Sequence, residues 1–527
     1  EVGLDNADRF FSGLDETIHG YSNAYQRKKQ LSADCSYIPV KEMQMGTMSG
    51  YRRKDGVRKE EDQPIKFYGF PLKETVENAI KLDVIKDYLV NAAPTPGVYS
   101  TMRDGSAFRD ALNLLQPGEK LLPVHIYFDD ATPASSLGYK SSAYQMAYFH
   151  LTVAALPSHL TAGLRFKYPL TIAHSKDVAS FNFTPVYNYI VSEFKKLATI
   201  DMEWKGRTYT MRLVLISILG DNKGMHEFSG LSTSFSSGSI CRWCPALYHD
   251  MHHCLRACTL SLRSKDEYDD VIASGNELMM EHHGIKFSCL LNSLPGFHTT
   301  LSSPPDFFHD VLEGVSRKEV HRLQQFLSRR GLSRENLNER LARHDYGRTD
   351  DSNRPSALSQ PTGTTIGNKA NQSWVLIRYL LVIAEDYGDV NSPEWVHFRL
   401  FALLVESITK TSYTDVEVDK LEEDIEEWLG SYVTLYGAEE MVSSNGRFKS
   451  SITSKHHFLL HYPHHVRTFG PLIHLSTFTY EQMHLAGKAK SYITKCFINL
   501  PLTISNTYAL VCAERRSRPY LEVTPSK

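Results

Sequence analysis

The sequence lacks several features that would assign a protein to a common class. Its 58 basic residues nearly balance 60 acidic ones, so the formal net charge is only −2. This near-neutrality excludes a protein that coats nucleic acid through bulk charge, although local basic patches remain possible. No apolar run reaches the roughly eighteen residues of a membrane span, so none is expected. The content of 42% hydrophobic and 22% charged residues is typical of a folded globular chain.

Signature motifs of several enzyme classes are missing as well. The sequence contains neither the G-x-S-x-G of nucleophilic hydrolases nor the G-x4-G-K-[ST] phosphate-binding loop. No glycine-rich turn follows the first strand-like run, which argues against a dinucleotide-binding fold. The first residues do not predict a signal peptide, and because residue 1 is Glu rather than Met we expect further sequence upstream. A chain of 527 residues is long enough for two or three domains.

A sheet is predicted in the first half of the chain. Runs rich in β-branched and aromatic residues predict four strands, at 122–128, 147–156, 164–173 and 208–219. Helical periodicity occurs at 71–93 and again at 182–200, before the fourth strand. The order strand, strand, strand, helix, strand favours a mixed sheet and resembles the ribonuclease H-like fold. In that fold the first and fourth strands are neighbours.

Acidic residues follow the first and fourth of these strands. Asp129 and Asp221 stand at the two strand ends, and Glu481 lies in a later helix-compatible segment. Two divalent ions about 4 Å apart require carboxylates from separate segments, and Mg²⁺ prefers oxygen ligands. We therefore interpret Asp129, Asp221 and Glu481 as a site for Mg²⁺ or Mn²⁺, although an Asp after a strand is also an ordinary turn residue. Asp130 is an alternative to Asp129, and strand phase does not decide between them.

Cysteine and histidine form the second constellation. Four of the eight cysteines lie between positions 241 and 258, and without a secretory signal this clustering favours metal binding over disulfides. Cys241 and Cys244 have the C-x2-C spacing of a zinc half-site, and the later H-x4-H pair, His456 and His461, would complete a structural Cys₂His₂ site. A local site that adds Cys254 and Cys258 is the alternative, and the absence of any metal is the third possibility.

A long, mostly helical region separates these motifs. Asp306, His309, Asp310 and Glu313 are spaced to share one helix face, which we interpret as a structural polar network rather than an acid/base site. Segment 317–343 is basic and offers candidate contacts to DNA phosphates.

Taken in order, five motifs resemble the DDE transposases of eukaryotic cut-and-paste transposons, in particular the CACTA-like and Transib-like groups, which include the recombinase core of antigen-receptor gene assembly. The matching motifs are FDD (128–130), GDN (220–222), CRWC (241–244), HHFLLH (456–461) and YEQMH (480–484). PDFFHDVLEG (305–314) resembles part of the helical domain inserted in the CACTA-like relatives. The resemblance covers roughly residues 67–510.

The resemblance implies a nuclear DNA transposase that cuts and joins phosphodiesters by two-metal-ion catalysis and acts as a homodimer on transposon ends. It implies catalytic metal binding at Asp129, Asp221 and Glu481, and zinc binding at Cys241, Cys244, His456 and His461. The alternative is a domesticated, inactive relative that binds DNA or protein. An exonuclease of the same fold would need a fourth acidic residue soon after Glu481, where the sequence is QMHLAGKAK.

The expected fold class is α/β (α+β), a ribonuclease H-like sheet interrupted by a helical insertion and stabilised by zinc. The expected organisation is an irregular N-terminal region at 1–66, a first sheet-containing part at 67–240, a zinc and helical part at 241–450, a last sheet-domain part at 451–510 and a tail at 511–527.

Overall fold

The structure is a computed structural model, and it describes residues 26, 29–30, 37–54, 57–133, 144–251, 253–359, 368–437, 452–494 and 498–517. Its architecture is mixed α/β, with one seven-stranded mixed sheet and many helices. The strands of both sheets are β1 (Lys41–Lys54), β2 (Val57–Gly69), β3 (Val98–Tyr99), β4 (Lys120–Ala131), β5 (Met146–Val153), β6 (Tyr168–His174), β7 (Thr199–Trp204), β8 (Arg207–Leu219) and β9 (Tyr413–Thr414).

The large sheet has the order β1-β2-β6-β5-β4-β8-β7, and β3 pairs with β9 in a separate two-stranded ribbon. Strand β4 runs parallel to β8 and antiparallel to β5. The remaining pairs of the large sheet are antiparallel. The predicted adjacency of the first and fourth strands is therefore confirmed.

The four predicted strands are confirmed with small changes of boundary, but two predictions about the chain ends are wrong. Within the supposedly irregular region 1–66, β1 and β2 form a long hairpin that joins the sheet where Tyr68 and Gly69 pair with β6. Part of the supposed tail from 511 is helical as far as Ser517. Strand β7 was not predicted either, because it is short and alternates exposed with buried residues.

Helices cover both faces of the sheet. The α-helices before residue 300 are α1 (Leu72–Ala79), α2 (Asp83–Asn91), α3 (Ser106–Leu112), α4 (Ser158–Thr161), α5 (Ser175–Ser180), α6 (Thr184–Leu197), α7 (Asn222–Phe228), α8 (Lys265–Ser274) and α9 (Glu277–His282). Those after it are α10 (Ser316–Arg329), α11 (Arg334–Arg343), α12 (Gly347–Asp350), α13 (Ala370–Ile383), α14 (Pro393–Ile408), α15 (Asp415–Tyr436), α16 (Ser454–Leu459), α17 (Tyr462–Phe469), α18 (Phe478–Glu481), α19 (His484–Thr494) and α20 (Leu500–Ser517).

Strand β4 separates two hydrophobic cores. Successive side chains of a strand point to opposite faces. Phe128 and its even-numbered neighbours pack with α1, α2 and α6, whereas Tyr127 packs with the helical region that follows residue 300. The sheet is thus buried on both faces at its centre, which explains why β4 and β5 are almost continuously apolar.

The segment Phe308–Val315 is a π-helix that continues directly into α10. A π-helix is rare and is often found at functional sites. In the part of the chain that the structure describes, no helix is long and apolar enough to cross a membrane.

Candidate carboxylate site and metal centre

The parallel pairing of β4 and β8 brings Asp129 and Asp221 to the same edge of the sheet. Tyr127 is paired with Leu219, and each Asp follows its paired residue by two positions. Neighbouring strands lie about 4.8 Å apart, so the two aspartates occupy equivalent, adjacent positions. Asp221 also caps α7, where its carboxylate accepts a hydrogen bond from the backbone N–H of Gly224.

Asp129 and Asp130 point to different faces of the strand. The Asp129 carboxylate accepts a hydrogen bond from the Tyr127 hydroxyl at 3.0 Å and lies 3.2 Å from His484 Nε2. Asp130 instead accepts a hydrogen bond from the Ser175 hydroxyl at 2.7 Å, and burial raises its pKa to about 7. Asp129, rather than Asp130, therefore contacts Tyr127 and His484, although both aspartates line the cleft that contains Glu481.

Glu481 comes from the short helix α18 and lines a cleft of about 800 Å³ together with Asp129. The remaining lining residues are Asp130, Ala131, Thr132, Lys369, Phe478, Gln482, His484, Leu485 and Lys488. Lys369 and Lys488 are exposed on this cleft, and no ion pair to either is found in the described chain. The cleft thus combines acidic groups with two free cations.

The buried phenol of Tyr127 is close enough to all three carboxylates for their charges to affect its pKa. Burial raises the pKa of its phenol well above the ordinary value, and the negative charges of Asp129, Glu481 and Asp221 raise it further. Burial also raises the pKa of Asp221, with a smaller contribution from the charge of Asp129. Tyr127 thus feels the negative charge of all three predicted carboxylates, and Asp221 that of Asp129.

His309 joins Glu481 to a buried aspartate. Its Nε2 lies 3.3 Å from Glu481 and its Nδ1 lies 2.6 Å from Asp306. Asp306 also accepts hydrogen bonds from the Thr477 hydroxyl at 2.7 Å and the Thr477 backbone N–H at 3.1 Å. Burial opposes protonation of His309, but its bonds to Asp306 and Glu481 outweigh burial and raise its pKa to about 11.

The polar side chains of the PDFFHD motif make two sets of contacts. Asp306 and His309 reach the carboxylate site, whereas Asp310 is buried away from it. Asp310 accepts hydrogen bonds from Asn222 and from the Tyr462 hydroxyl. The motif therefore forms the polar network that the sequence predicted, and through His309 this network extends to Glu481.

The second cluster contains Cys241, Cys244, His457 and His461, all buried, with their ligand atoms within 4.8 Å of one another. The Cys241 Sγ to His461 Nε2 distance is 3.4 Å, and the Cys244 Sγ to His457 Nε2 distance is 3.2 Å. Within the described ranges this is the one group of metal-ligand side chains that meets so closely. Asp129, Asp221 and Glu481 do not form such a group among the described residues.

Zinc fits this group. Tetrahedral zinc with bonds of about 2.0–2.3 Å to nitrogen and sulfur separates its ligand atoms by roughly 3.3–3.8 Å. The 3.4 Å between His457 Nε2 and His461 Nε2 matches that spacing as well. The Trp243 backbone N–H donates to Cys241 Sγ at 3.4 Å, a contact that stabilises a thiolate. Two thiols and two imidazole nitrogens facing one another in a buried site are suited to a closed, structural ion.

The prediction of His456 as a ligand is wrong. His457 and His461 are four residues apart, so a helical turn places both on one side, whereas His456 points elsewhere. The His456 ring stacks on Trp428 at a centroid distance of 5.5 Å, and its Nδ1 bonds to the Thr453 hydroxyl. On a helix, H-x3-H rather than H-x4-H is the spacing that aligns two imidazoles on one face.

The alternative local cysteine site is not formed by Cys254, which stays outside the four-residue group and is only partly buried. The side chain of Cys258 lies outside the described residues.

The basic segment 317–343 is less available than its sequence suggests. Many of its arginines are paired with acidic residues of the helical region. These pairs are Arg317–Glu313, Arg329–Glu394, Arg330–Asp389, Arg334–Glu335, Arg340–Asp386 and Arg343–Glu339. The unpaired lysines of the cleft, which the sequence did not single out, are better placed to contact a polyanion near the carboxylates.

Comparison with protein-family models finds no family that matches the sequence, and comparison with curated proteins finds no relative. The function is therefore argued from the geometry of the two clusters.

Proposed function

We propose that this protein is a DNA transposase with a ribonuclease H-like fold, which cuts and joins DNA phosphodiesters with two Mg²⁺ or Mn²⁺ ions. The observation on which this depends is that Asp129 and Asp221 stand at the same end of adjacent parallel strands, and that Glu481, from a distant segment, lines one cleft with Asp129. Two-metal phosphoryl transfer requires carboxylates that come together from separate elements of the chain.

The fold supports the proposal through its strand order. The antiparallel order β6-β5-β4 followed by parallel β8 is the arrangement expected for a ribonuclease H-like sheet. In the chain, α6 lies between β6 and the β7–β8 hairpin. The long helical stretch between Asp221 and Glu481 corresponds to the expected insertion.

The residues of the carboxylate site would have different roles in this mechanism. Bound divalent ions would supply a Lewis acid for the phosphodiester and lower the pKa of an attacking water. Asp129, Asp221 and Glu481 would hold those ions. Tyr127 orients the Asp129 carboxylate by hydrogen bonding. His309, fixed by Asp306, orients Glu481 and compensates part of the negative charge.

The zinc proposed for Cys241, Cys244, His457 and His461 would act structurally. Its first pair follows Asp221 by about twenty residues, and its second pair precedes Glu481 by a similar distance. Zinc would therefore fix the two chain segments that present these carboxylates to each other.

The same proposal includes duplex DNA as the partner, a homodimer that holds two transposon ends, and action in the nucleus. Lys369 and Lys488 are suited to contact phosphates beside the carboxylates, and phosphate contacts make binding dependent on salt. A non-catalytic DNA- or protein-binding descendant of such an enzyme is the alternative.

The test is metal-dependent nicking of duplex DNA by the full chain, beside four single variants. We expect cleavage in Mg²⁺ or Mn²⁺ that Asp129→Asn, Asp221→Asn and Glu481→Gln abolish. Asp130→Asn is the matched control, because it changes the neighbouring carboxylate, which bonds to Ser175. It is expected to retain most of the activity.

Folded, zinc-containing protein that cleaves no DNA under any metal condition would contradict the enzymatic proposal and favour the binding factor. Loss of cleavage in Asp130→Asn with retention in Asp129→Asn would overturn the assignment of the first ligand. Gel filtration that shows a monomer even with end DNA would contradict the dimer.

A further inference from the structure

A second cavity, of about 310 Å³, lies beside the carboxylate cleft and shares Phe478 with it. It is bounded by three parts of the chain: the loop and short helices before β6, the π-helical segment with α13, and the segment that leads to Glu481. Four aromatic side chains form much of its wall, namely Phe307, Phe308, Trp374 and Phe478. Its size is at the lower end of the range for small-molecule sites, roughly 300–1,000 Å³.

Lys167 is the cation of this cavity. The residue is 3% exposed, and its ammonium lies 3.8 Å from the centre of the Tyr480 ring. Across the described ranges this ammonium has a cation–π contact but no hydrogen bond and no carboxylate partner. Burial lowers the pKa of Lys167 to about 7, because no nearby negative charge in the described chain stabilises the ammonium. A buried, unpaired ammonium is costly for folding, so it calls for a function.

A second polar group of the cavity wall is also without a partner. The indole N–H of Trp374 is buried and has no hydrogen-bond acceptor among the residues that the structure describes. Buried donors are nearly always satisfied in folded proteins, and an unsatisfied one requires an explanation. Both the Lys167 ammonium and the Trp374 indole N–H lack a hydrogen-bond acceptor among the described residues, and an oxyanion in the cavity would supply one.

We infer that this cavity binds a small aromatic anion, a planar ring bearing one carboxylate, sulfonate or phosphate group, with Lys167 as its anchor. The ring would lie among Phe307, Phe308, Trp374 and Phe478, and the acidic group would pair with the ammonium. The inference does not depend on nuclease activity, because it concerns a different cavity and a different ligand from those of the carboxylate cleft.

A ligand in this cavity would affect the position of Glu481 at the carboxylate site. Ser476, Phe478 and Thr479 line it, and Thr477 between them holds Asp306. Lys167 contacts the ring of Tyr480, the residue before Glu481. A ligand would therefore fix the segment that presents Glu481.

The experiment uses two fluorescent probes of similar shape on the full chain. 1-Anilinonaphthalene-8-sulfonate is an aromatic anion, and N-phenyl-1-naphthylamine is its neutral counterpart. We expect one-site binding of the sulfonate, competition by benzoate and phenyl phosphate, and no competition by benzyl alcohol. Lys167→Met should raise the Kd of the sulfonate by about tenfold or more and leave that of the neutral probe within about twofold. Lys176→Met, which removes an exposed lysine, should change neither.

Stability provides a second measurement, which needs no ligand. Because Lys167 is buried without an anion, Lys167→Met should raise the melting temperature of the ligand-free protein, as is usual when a functional but unfavourable group is removed. A lower melting temperature would mean that the lysine is a structural element and would overturn the inference.

Equal loss of both probes in Lys167→Met, or unchanged binding of the sulfonate, would also overturn it. Displacement of the sulfonate by short duplex DNA would indicate that the natural anion is a phosphate of nucleic acid, and it would overturn the assignment to a small free ligand.

Discussion

The rings of Tyr127 and Tyr480 stack face to face, with centroids 4.3 Å apart and planes inclined by 16°. Each tyrosine is tied to a different carboxylate, since Tyr127 donates a hydrogen bond to Asp129 and Tyr480 directly precedes Glu481. The hydroxyl of Tyr480 donates a hydrogen bond to the Thr152 hydroxyl of β5 at 2.7 Å, which holds the Tyr480 ring in place. The stacked pair therefore sets the distance between a residue of β4 and a residue more than three hundred positions later.

Tyr127→Phe should weaken catalysis without disturbing this stack. The substitution keeps the ring and removes the hydrogen bond to Asp129. A hydrogen bond to a charged group is worth about 1.5–3 kcal/mol, so we expect a nicking rate lower by roughly ten- to a hundredfold. Tyr480→Phe is the matched control: it loses only the bond to Thr152 and should lower the melting temperature more than the rate. Equal rates for Tyr127→Phe and the wild type would refute a positioning role.

Adjacent histidines should differ sharply in zinc content. His457→Ala removes a proposed ligand, so we expect loss of zinc from the purified protein and a large fall in melting temperature. His456→Ala removes a ring that stacks on Trp428 but leaves all four ligands in place, and it should retain one zinc per chain. Metal analysis by mass spectrometry measures both. Zinc retained in His457→Ala and lost in His456→Ala would reverse the assignment.

Asp306→Asn should reduce nicking through His309. The side chain keeps its shape but loses the charge that holds Nδ1 of His309 and thereby helps to raise its pKa. We expect a rate lower by about ten- to a hundredfold, together with a higher metal concentration for half-maximal activity, because Glu481 would be held less firmly. Glu313→Gln changes an acidic side chain of the same segment, one that pairs with Arg317, and should have little effect. An unchanged metal requirement in Asp306→Asn would argue against this connection.

Removal of the cleft lysines should weaken DNA binding in a salt-dependent way. If Lys369 and Lys488 each neutralise one phosphate, Lys369→Gln and Lys488→Gln should each reduce the slope of log K against log salt by about 0.9. Arg343→Gln is the comparison, since this arginine pairs with Glu339 on the helical region. Fluorescence anisotropy at several salt concentrations gives the slopes. A larger change for Arg343→Gln would move the DNA path to the basic segment.

The stability of the protein should rise with pH in a window set by Lys167. Its pKa is lowered to about 7 from an ordinary 10.5, so between these values the unfolded chain binds a proton that the folded protein has released. Wild-type stability, compared with that of Lys167→Met, should therefore increase from about pH 7 to pH 10 and be constant below pH 7. Melting temperatures of both proteins across this range test it. A constant difference would show that the ammonium is not desolvated.

The strands that hold the carboxylates could be predicted because they are buried on both faces. Strands β4, β5 and β8 are nearly continuous apolar runs, and such runs are recognisable in a sequence. The hairpin of β1 and β2 was missed because much of it is polar; the core residues that the structure describes in it, Met45, Phe67 and Tyr68, are few. Two antiparallel strands can pair through their backbones without any apolar alternation, so their sequence gave no signal.

The site was predictable in its residue types but not in its contacts. Choosing between Asp129 and Asp130 requires the face of β4 that the helical region covers, which is a tertiary fact. The link from His309 to Glu481 joins positions separated by more than 170 residues, and no local pattern reports it. The choice of His457 over His456, by contrast, was available from helix periodicity alone.

Cys244 and His457 meet although 213 positions separate them. The entropy lost on closing a loop grows only with the logarithm of its length, by about 0.6 kcal/mol for each doubling. With zinc bound between Cys244 and His457, the helical region becomes a loop whose two ends are held together at the metal site. Residues inserted into this loop would add little to the entropy of closing it, and the spacing of the carboxylates would not change. The helical region is therefore the part of this architecture that is freest to diversify in size and in what it recognises.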